Sequence, residues 1–428
     1  MTMIVIVLLL TSALFAASAL AAKKAAEPTG SDTRAIFERY ADRIVKVQVV
    51  ESKSGAESII GSGFFVSQKG HLITNYHVVS KFIQFPDRYK VQVLGRTGEP
   101  RNAIILGIDV LSDLAVLKDS APSDAYFTLA ALDLPQGTHL FSLGHPRNIS
   151  LSIVEGTHNG YFKQSSLKQI HFTGSVNPGM SGGPAITASG TVAGVNVATA
   201  GNQVGFLVPV SKAVDLLSKT RLNGNTTSPD FTESVRSQVL KFQDSTIPDD
   251  LIKSGKTVRL GNYDLPGQLS SLFECNADSY VEPHKLYETV THSCSNKEDI
   301  FISNSLRTGS IKIQHQLITT DKLNRYRFYN LYSDIFKMYN GSWTGSEEEL
   351  TKYACRMGTV EHNGAVFKTM FCARAYKKLP GVYDVAFKAA ALGDRNQGLV
   401  TSLFLTGVSF EKGMLLSRDY LEKISWKK

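Results

Sequence analysis

Residues Asn177-Pro178-Gly179-Met180-Ser181-Gly182-Gly183-Pro184 place one serine in a frame of glycines. A hydroxyl becomes a useful nucleophile when it is exposed on a tight turn with a base in reach. Backbone N–H groups must also converge beside it to hold an oxyanion. Glycines on both sides let the chain turn sharply and approach a substrate carbonyl. The N–H groups of Gly179 and Ser181 are the expected oxyanion hole. A base and an acid precede the serine: His77 in Leu72-Ile73-Thr74-Asn75-Tyr76-His77-Val78-Val79, and Asp113 in Ser112-Asp113-Leu114-Ala115-Val116-Leu117. The imidazole would take the Ser181 proton and return it to a leaving amine, while Asp113 would fix the tautomer and stabilise the imidazolium. A lone histidine in a β-protein is usually structural. Three such residues, each at a strand end in an apolar frame, are a constellation.

Their order discriminates between folds. A Gly-x-Ser-x-Gly elbow of the α/β-hydrolase kind needs a helix after the serine, with the acid and histidine downstream. Gly182-Gly183-Pro184 is a poor helix start, and here both partners come first. His, Asp, Ser is the chain order of the barrel-type serine proteases. The elements that must position them read as short strands: Ile44–Val50, Gly63–Val66, His71–Thr74, Val91–Leu94, Ala115–Leu117, Val192–Val197 and Gly205–Val208. Many short strands with few helices indicate a sandwich or barrel. Asp32 or Thr33 can cap a short helix bearing Ile36, Phe37 and Tyr40. Pro209 opens a second helix with Val210, Val214 and Leu217 on one face.

Gly61-Ser62-Gly63-Phe64-Phe65-Val66, Gly70-His71-Leu72-Ile73-Thr74-Asn75-Tyr76-His77, Asp113-Leu114-Ala115-Val116-Leu117, Gly144-His145-Pro146 and the Ser181 segment follow one another in an order that resembles the HtrA/Deg branch of trypsin-like serine proteases. The resemblance covers residues 33–222. It implies two six-stranded barrels with the triad in the cleft between them, and cleavage of unfolded polypeptide outside the cytoplasm. Ser175 stands where trypsin-like specificity would need an aspartate, so an uncharged, apolar P1 residue (the one contributing the scissile carbonyl) is expected. The resemblance also implies that Asn196, Val197 and Ala198 form the strand that pairs with substrate backbone. Three features depart from the family. Met180 replaces the usual Asn, Tyr76 is bulkier than is usual before the histidine, and no PDZ carboxylate-binding loop follows Ser228.

The rest of the chain sets the context. Residues 1–22 read as a signal peptide ending Ala19-Leu20-Ala21, with an uncleaved membrane anchor as the alternative. A periplasmic or secreted location follows. The composition, 43% hydrophobic and 20% charged, is that of a globular protein and excludes a disordered chain. The net charge of +8 is spread over both halves, so nucleic acid is not an expected partner. Asn223 to Pro229 read as a linker, and residues 230–428 as a second, β-rich α+β domain of unknown fold. That half holds Cys275, Cys294, Cys355 and Cys372. Short loops favour Cys275–Cys294 and Cys355–Cys372 disulfides in an exported protein, with four buried thiols as the plain alternative. Strands are expected at Ile311–Ile318, Val366–Phe371, Tyr383–Phe387 and Leu399–Leu405. A helix over Asp321–Tyr339 would bury Tyr329, Tyr332, Phe336 and Tyr339. Glu347-Glu348-Glu349 read as a solvated helix start after Thr344-Gly345-Ser346. Lys322, Arg325 and Arg327 beside Tyr326 and Phe328 read as a solvated face with snorkelling stems. His71 and His145 read as structural. The other histidines show no metal-ligand spacing, and the triad calls for no metal or cofactor. Asn148, Asn225 and Asn340 head glycosylation-type triplets. The expectation is a mainly β chain with a chymotrypsin-type double barrel, acting as an exported serine endopeptidase on polypeptide substrates. The alternatives are a silent protease-fold binding protein, or an adhesion or capture protein defined by its C-terminal half. Oligomeric state stays open.

Overall fold

The computed structural model describes residues 33–426, apart from 97, 163–165, 200, 202, 223–229, 297 and 338–343. The signal segment, Asp32, the linker at 223–229, Tyr339 and the triplets at Asn225 and Asn340 therefore lie outside the described residues. The chain divides into two compact units, 1–41 and 42–428. In the first, α1 (Thr33–Tyr40) buries Ile36 and Tyr40 at helical spacing.

The second unit opens with a barrel of β1 (Ile44–Glu51), β2 (Glu57–Phe65), β3 (His71–Thr74), β4 (Tyr89–Leu94), β5 (Pro100–Asp109) and β6 (Leu114–Asp119), closed in the order β1-β2-β3-β6-β5-β4. Period two is plain in β4: Tyr89, Val91 and Val93 are buried and Lys90 between them is exposed. Between β3 and β4 runs α2 (Tyr76–Gln84), which carries His77. A second barrel follows from β7 (His139–Gly144), β8 (Ser152–Tyr161), β9 (Ile170–Phe172), β10 (Pro184–Ile186), β11 (Val192–Thr199) and β12 (Gly205–Pro209), closed as β10-β11-β12-β9-β8-β7. Closure leaves neither sheet an open edge. The chain leaves through α3 (Val210–Leu222), directly after Pro209.

Downstream, α4 (Phe231–Thr246) starts at Asp230, whose carboxylate accepts the Glu233 N–H at 3.1 Å. A seven-stranded antiparallel sheet follows. Its strands are β13 (Phe273–Val281), β14 (Glu288–Asn296), β15 (Ile311–Thr319), β16 (Ala354–His362), β17 (Ala365–Ala375), β18 (Tyr383–Leu392) and β19 (Gln397–Val408), ordered β13-β14-β15-β19-β18-β17-β16. All four strands expected in this half fall inside it. Two helices cover β18 and β19 on opposite faces. α5 (Arg325–Lys337) buries Phe328, Tyr332 and Phe336 against Ala390 and Val400. α6 (Phe410–Glu422) buries Leu416 and Tyr420 against Ala389, Leu399 and Leu403. Strands covered on both faces are buried almost continuously, as β18 and β19 are. The edge strands β13 and β16 are mostly exposed, and each is joined to its neighbour through directly opposed cysteines, Cys275–Cys294 and Cys355–Cys372.

One reading of local sequence changes. Glu347-Glu348-Glu349 forms a turn rather than a helix start. Glu349 is half-buried and accepts hydrogen bonds from Ser303 Oγ, from Ser305 Oγ at 2.6 Å and from the Ser346 N–H at 2.9 Å. Burial raises its pKa, but these donors outweigh it and hold the carboxyl below its ordinary value. Lys322, Arg325, Tyr326 and Arg327 are exposed, as a solvated face requires, while Phe328 is buried.

The C-terminal half does not stand apart from the barrels. One apolar cluster runs from Val47, Val79, Ile83 and Val110 of the first barrel, through Val235, Val239 and Phe242 of α4, to Ile302, Leu306, Tyr376 and Val382. Residues 42–428 should therefore unfold in one cooperative step. Phe242→Ala should cost about 3–5 kcal/mol and lower the urea midpoint of both halves together, read from tryptophan fluorescence for the C-terminal half and from far-ultraviolet dichroism for the whole. A midpoint that moves for one half alone would contradict this packing.

Candidate active site

His77 enters the site because Asp113 does the work of a helix cap. The cap position, Asn75, makes no side-chain bond to the start of α2. Instead Asp113, just before the neighbouring strand β6, accepts the Tyr76 N–H through its carbonyl at 3.1 Å and the His77 N–H through Oδ1 at 2.8 Å. These are two of the first-turn donors that a helix cannot satisfy internally. Oδ2 takes the His77 Nδ1 position at 2.6 Å, and Asn75 Nδ2 donates to the Asp113 carbonyl at 2.7 Å. Meeting all four partners holds Asp113 at φ +52°, the left-handed region that Asp tolerates better than most residues. With Nδ1–H given to the carboxylate, Nε2 is the nitrogen left to accept a proton.

Ser181 follows a turn in which the Met180 N–H donates to Asn177 O at 2.9 Å and Gly179 sits at φ +96°. A side chain at Gly179 would collide with the His145 carbonyl, and one at Gly182 (φ +87°) with Ser62 O. Three contacts lock the turn. The Pro178 carbonyl accepts the Arg147 N–H at 2.7 Å, which fixes the 178–179 peptide plane with its N–H on the opposite side. Ser62 Oγ donates to the Gly179 carbonyl at 2.7 Å and accepts the His145 N–H at 2.8 Å. Asn196, fully buried, donates through Nδ2 to Leu143 O at 3.2 Å and Met180 O at 3.3 Å, and its Oδ1 accepts from Ser142 Oγ at 2.8 Å. Among the described residues, the Gly179 and Ser181 N–H groups have no hydrogen-bond partner. Both residues are only partly buried, and free backbone donors on either side of a hydroxyl are the groups that an oxygen anion would need.

Ser181 Oγ makes a long bond to Val197 O at 3.4 Å and none to His77. Nucleophile–base bonds are often loose without substrate and tighten in the Michaelis complex. His77 and Asp113 are paired, and the nucleophile turn lies beside the start of α2: a Cβ at Gly182 would stand 3.0 Å from the Asn75 nitrogen. Val197 sits at a register shift between β11 and β12, with its carbonyl at the nucleophile, and Ala198 pairs with Phe206 through backbone. The Asn196 side chain faces the nucleophile turn rather than open space. Ser175 is exposed on the loop leading to the nucleophile. Ser62 and Arg147 gave no sign of their role in the sequence, because what they hold is backbone. His71 pairs with Ser67 Oγ at 2.7 Å. Cys275, His292 and Cys294 cluster, but both sulfurs are consumed by the disulfide.

Tyr76 belongs to the C-terminal half as much as to the barrel. Its ring is buried, burial raises its pKa, and its hydroxyl donates to Ile302 O at 3.1 Å. Gln84 Nε2 donates to the same carbonyl at 3.1 Å. Lys378 Nζ donates to Gln84 O at 2.8 Å, at the C-terminal end of α2 where a cation is favoured. From α4, Gln238 accepts the Val110 N–H at 2.8 Å and donates to Ile108 O at 3.1 Å, bracing the approach to Asp113.

Comparisons with known proteins agree with this geometry. Residues 61–195 match the family model described as a trypsin-like peptidase domain. A protein named probable periplasmic serine endoprotease DegP-like, from Chlamydia trachomatis, is 28% identical over 186 residues, covering 40% of this chain and 35% of its own. Protease Do-like 1, chloroplastic, from Arabidopsis thaliana is 30% identical over 185 residues, covering 40% of this chain and 41% of its own. A solved serine endoprotease from Yersinia pestis aligns with 47% of this chain and 70% of its own at 25% identity, with a TM-score of 0.39. The fold assignment stands on the two closed barrels themselves. The chain thus spans about two-fifths or less of the length of the two curated relatives, and residues 61–195 are similar to trypsin-like proteases of the HtrA type.

His145 supplies a pH test of the nucleophile turn. Its Nδ1 is buried without a partner among the described residues, and burial, helped by Lys46, lowers its pKa to about 4. His315, buried between Thr401 and Pro266, is lowered to about 4 as well, chiefly by burial. Both bind protons in the unfolded chain near pH 6.5, before they do so in the fold. Their contribution is therefore present above pH 6.5 and lost as pH falls from 6.5 through 4. Each contributes a slope of up to about 1.4 kcal/mol per pH unit in that window. Urea titrations from pH 7.5 to 4.5 should show the decline, and His145→Asn should make it shallower, leaving the share due to His315.

Proposed function

We propose that this chain, whose residues 61–195 match the trypsin-like peptidase domain, is an exported serine endopeptidase that hydrolyses unfolded or extended polypeptide. The observation that carries the reading is the pair of unpartnered Gly179 and Ser181 N–H groups beside a hydroxyl, with the Asp113–His77 pair in the same site. In this reading Ser181 Oγ adds to the scissile carbonyl as His77 Nε2 takes its proton. The oxyanion rests on the two N–H groups. The imidazolium, held by Asp113, then protonates the departing amine, and water completes the cycle by the same route. Asp113 is anchored by backbone donors as well as by His77, so the imidazole keeps its tautomer and orientation throughout.

Substrate class and location rest on further support. The protein from Chlamydia trachomatis is named periplasmic and DegP-like. The apolar N-terminal segment ends in an Ala-x-Ala pattern, and two disulfides suit an oxidising compartment. No helix among the described residues is long and apolar enough to cross a membrane. In this reading Val197 and Ala198 offer backbone to an extended substrate, which folded proteins do not present. Ser175 brings no charge to the pocket, so an apolar P1 side chain is expected.

Reduced, carboxymethylated casein should be degraded by the full chain, with apolar P1 residues outnumbering Lys and Arg at the cleaved bonds. Ser181→Ala should cut the rate by at least about 10⁴-fold and leave the unfolding midpoint in place. Degradation that survives in Ser181→Ala, or a folded wild type that leaves casein intact, would contradict the proposal.

A further inference from the structure

The C-terminal half reaches the cleft through residues 298–308, a short two-stranded hairpin of Ile300–Phe301 against Arg307–Thr308. Its path touches both barrels. Glu298 Oε1 accepts the Ser166 N–H at 2.6 Å, on the loop that leads into β9. Four residues on, the Ile302 carbonyl receives Tyr76 and Gln84 of α2. Between these anchors lies Phe301. Its ring meets the His77 imidazole edge-on, with centroids 5.7 Å apart and planes at 61°, and meets Tyr76 at 6.2 Å. The Arg307 guanidinium stands 4.7 Å from the Phe301 ring centroid and is paired with Asp299 at 3.3 Å. Ser303 and Ser305, at the hairpin turn, are tied to Glu349. The ring is thus held from several sides. The covered imidazole keeps 25% of its side-chain surface open.

The side of the cleft follows from sheet order. β9 pairs with β12, and β12 with β11, with Ile170, Leu207 and Asn196 in line across the three strands. The loop gripped by Glu298 therefore enters β9 level with Asn196, across β12 from the Asn196–Ala198 segment along which the acyl half of a substrate is proposed to lie. A peptide in that position places its P1 residue at Ser181. The next residue back, P2, lies against the imidazole, in the space that Phe301 borders.

We propose that Phe301 is a specificity-determining residue contributed by the C-terminal half: it walls the P2 site beside His77 and selects for small P2 side chains. The proposal rests on the protease reading above. A ring fixed by Arg307 and by the anchored hairpin cannot swing aside cheaply, since overpacking a fixed contact is destabilising. A bulky P2 residue would meet it, whereas Gly, Ala or Ser would not. The C-terminal half is then part of the substrate site itself, which gives a reason for a buried Tyr76 hydroxyl anchored to Ile302.

The test digests a peptide library prepared from a denatured proteome with the full chain, reading the residues around each new terminus by mass spectrometry. Wild type should show small P2 residues enriched at least tenfold over Leu, Phe and Tyr. Phe301→Ala should erase that preference by raising cleavage after bulky P2 residues tenfold or more. The P1 profile should stay as in wild type, so that the ratio of bulky-P2 to small-P2 cleavage, not the absolute rate, is what the test reads. Phe301→Leu and Phe301→Trp guard against misfolding: the first should widen the P2 profile and the second narrow it. A P2 profile indifferent to all three substitutions overturns the inference and leaves the protease reading standing. A uniform rise or fall for every substrate also overturns it, because that marks a plug or a purely structural contact. Absence of any Ser181-dependent cleavage removes both.

Discussion

Everything at this site hangs on the Asp113 carboxylate and carbonyl, which take the place of the missing cap of α2. A helix that begins on Asn75-Tyr76-His77 with no side-chain cap has first-turn N–H groups to satisfy, and Asp113 takes two of them. The residue that orients the imidazole is thus the residue that starts the helix carrying it. Backbone strain at φ +52° costs about 1–2 kcal/mol. Charge-assisted bonds to the His77 N–H and Nδ1 offset that cost. The acid and the base cannot separate without fraying α2, so their geometry is fixed by folding rather than by substrate.

The same logic extends outward. The nucleophile turn is fixed by Ser62, Arg147 and Asn196, all acting on backbone groups of residues 178–180. With the 178–179 carbonyl turned to Arg147, the Gly179 N–H is left without a partner. The C-terminal half closes the system. Gln238 holds the strand end before Asp113, Lys378 holds the C-terminal end of α2, and Ile302 holds Tyr76. Most of these contacts are hydrogen bonds to backbone, worth roughly 0.5–1.5 kcal/mol each. Their combined effect is positional: both ends of α2 and the loop of its acid partner are referenced to one apolar cluster.

Much of the site was legible in the sequence because its chemistry depends on residue type. His77, Asp113 and Ser181 stand at strand or helix ends within apolar frames. Glycine at 179 and 182 is demanded by close carbonyls. The strands with clean alternation or long apolar runs, such as β4, β15 and β19, were equally readable. β5 and β8 were not, because register shifts at Ile105/Gly107 and His158/Tyr161 break the period. α2 was hidden for another reason. Its β-branched Val78 and Val79 weaken the helix signal, and its cap lies far away in sequence at Asp113. Glu349 looked like a solvated charge because its serine partners, Ser303 and Ser305, are distant in the chain. Tyr76 stood out as too large for its position. The cause, an anchor on Ile302, could only be seen once the two halves were packed together.

The central claim is that Ser181, activated by the Asp113–His77 pair and faced by two free N–H donors, is an acylating nucleophile. The most direct measurement is a stopped-flow burst of nitrophenol release from p-nitrophenyl acetate by the full chain. The account predicts a burst of about one equivalent per folded chain, the signature of an accumulating acyl-enzyme. It also predicts an acetyl group on Ser181 in the trapped intermediate. Folded protein that releases nitrophenol without a burst, or whose acetyl group maps elsewhere, would contradict it.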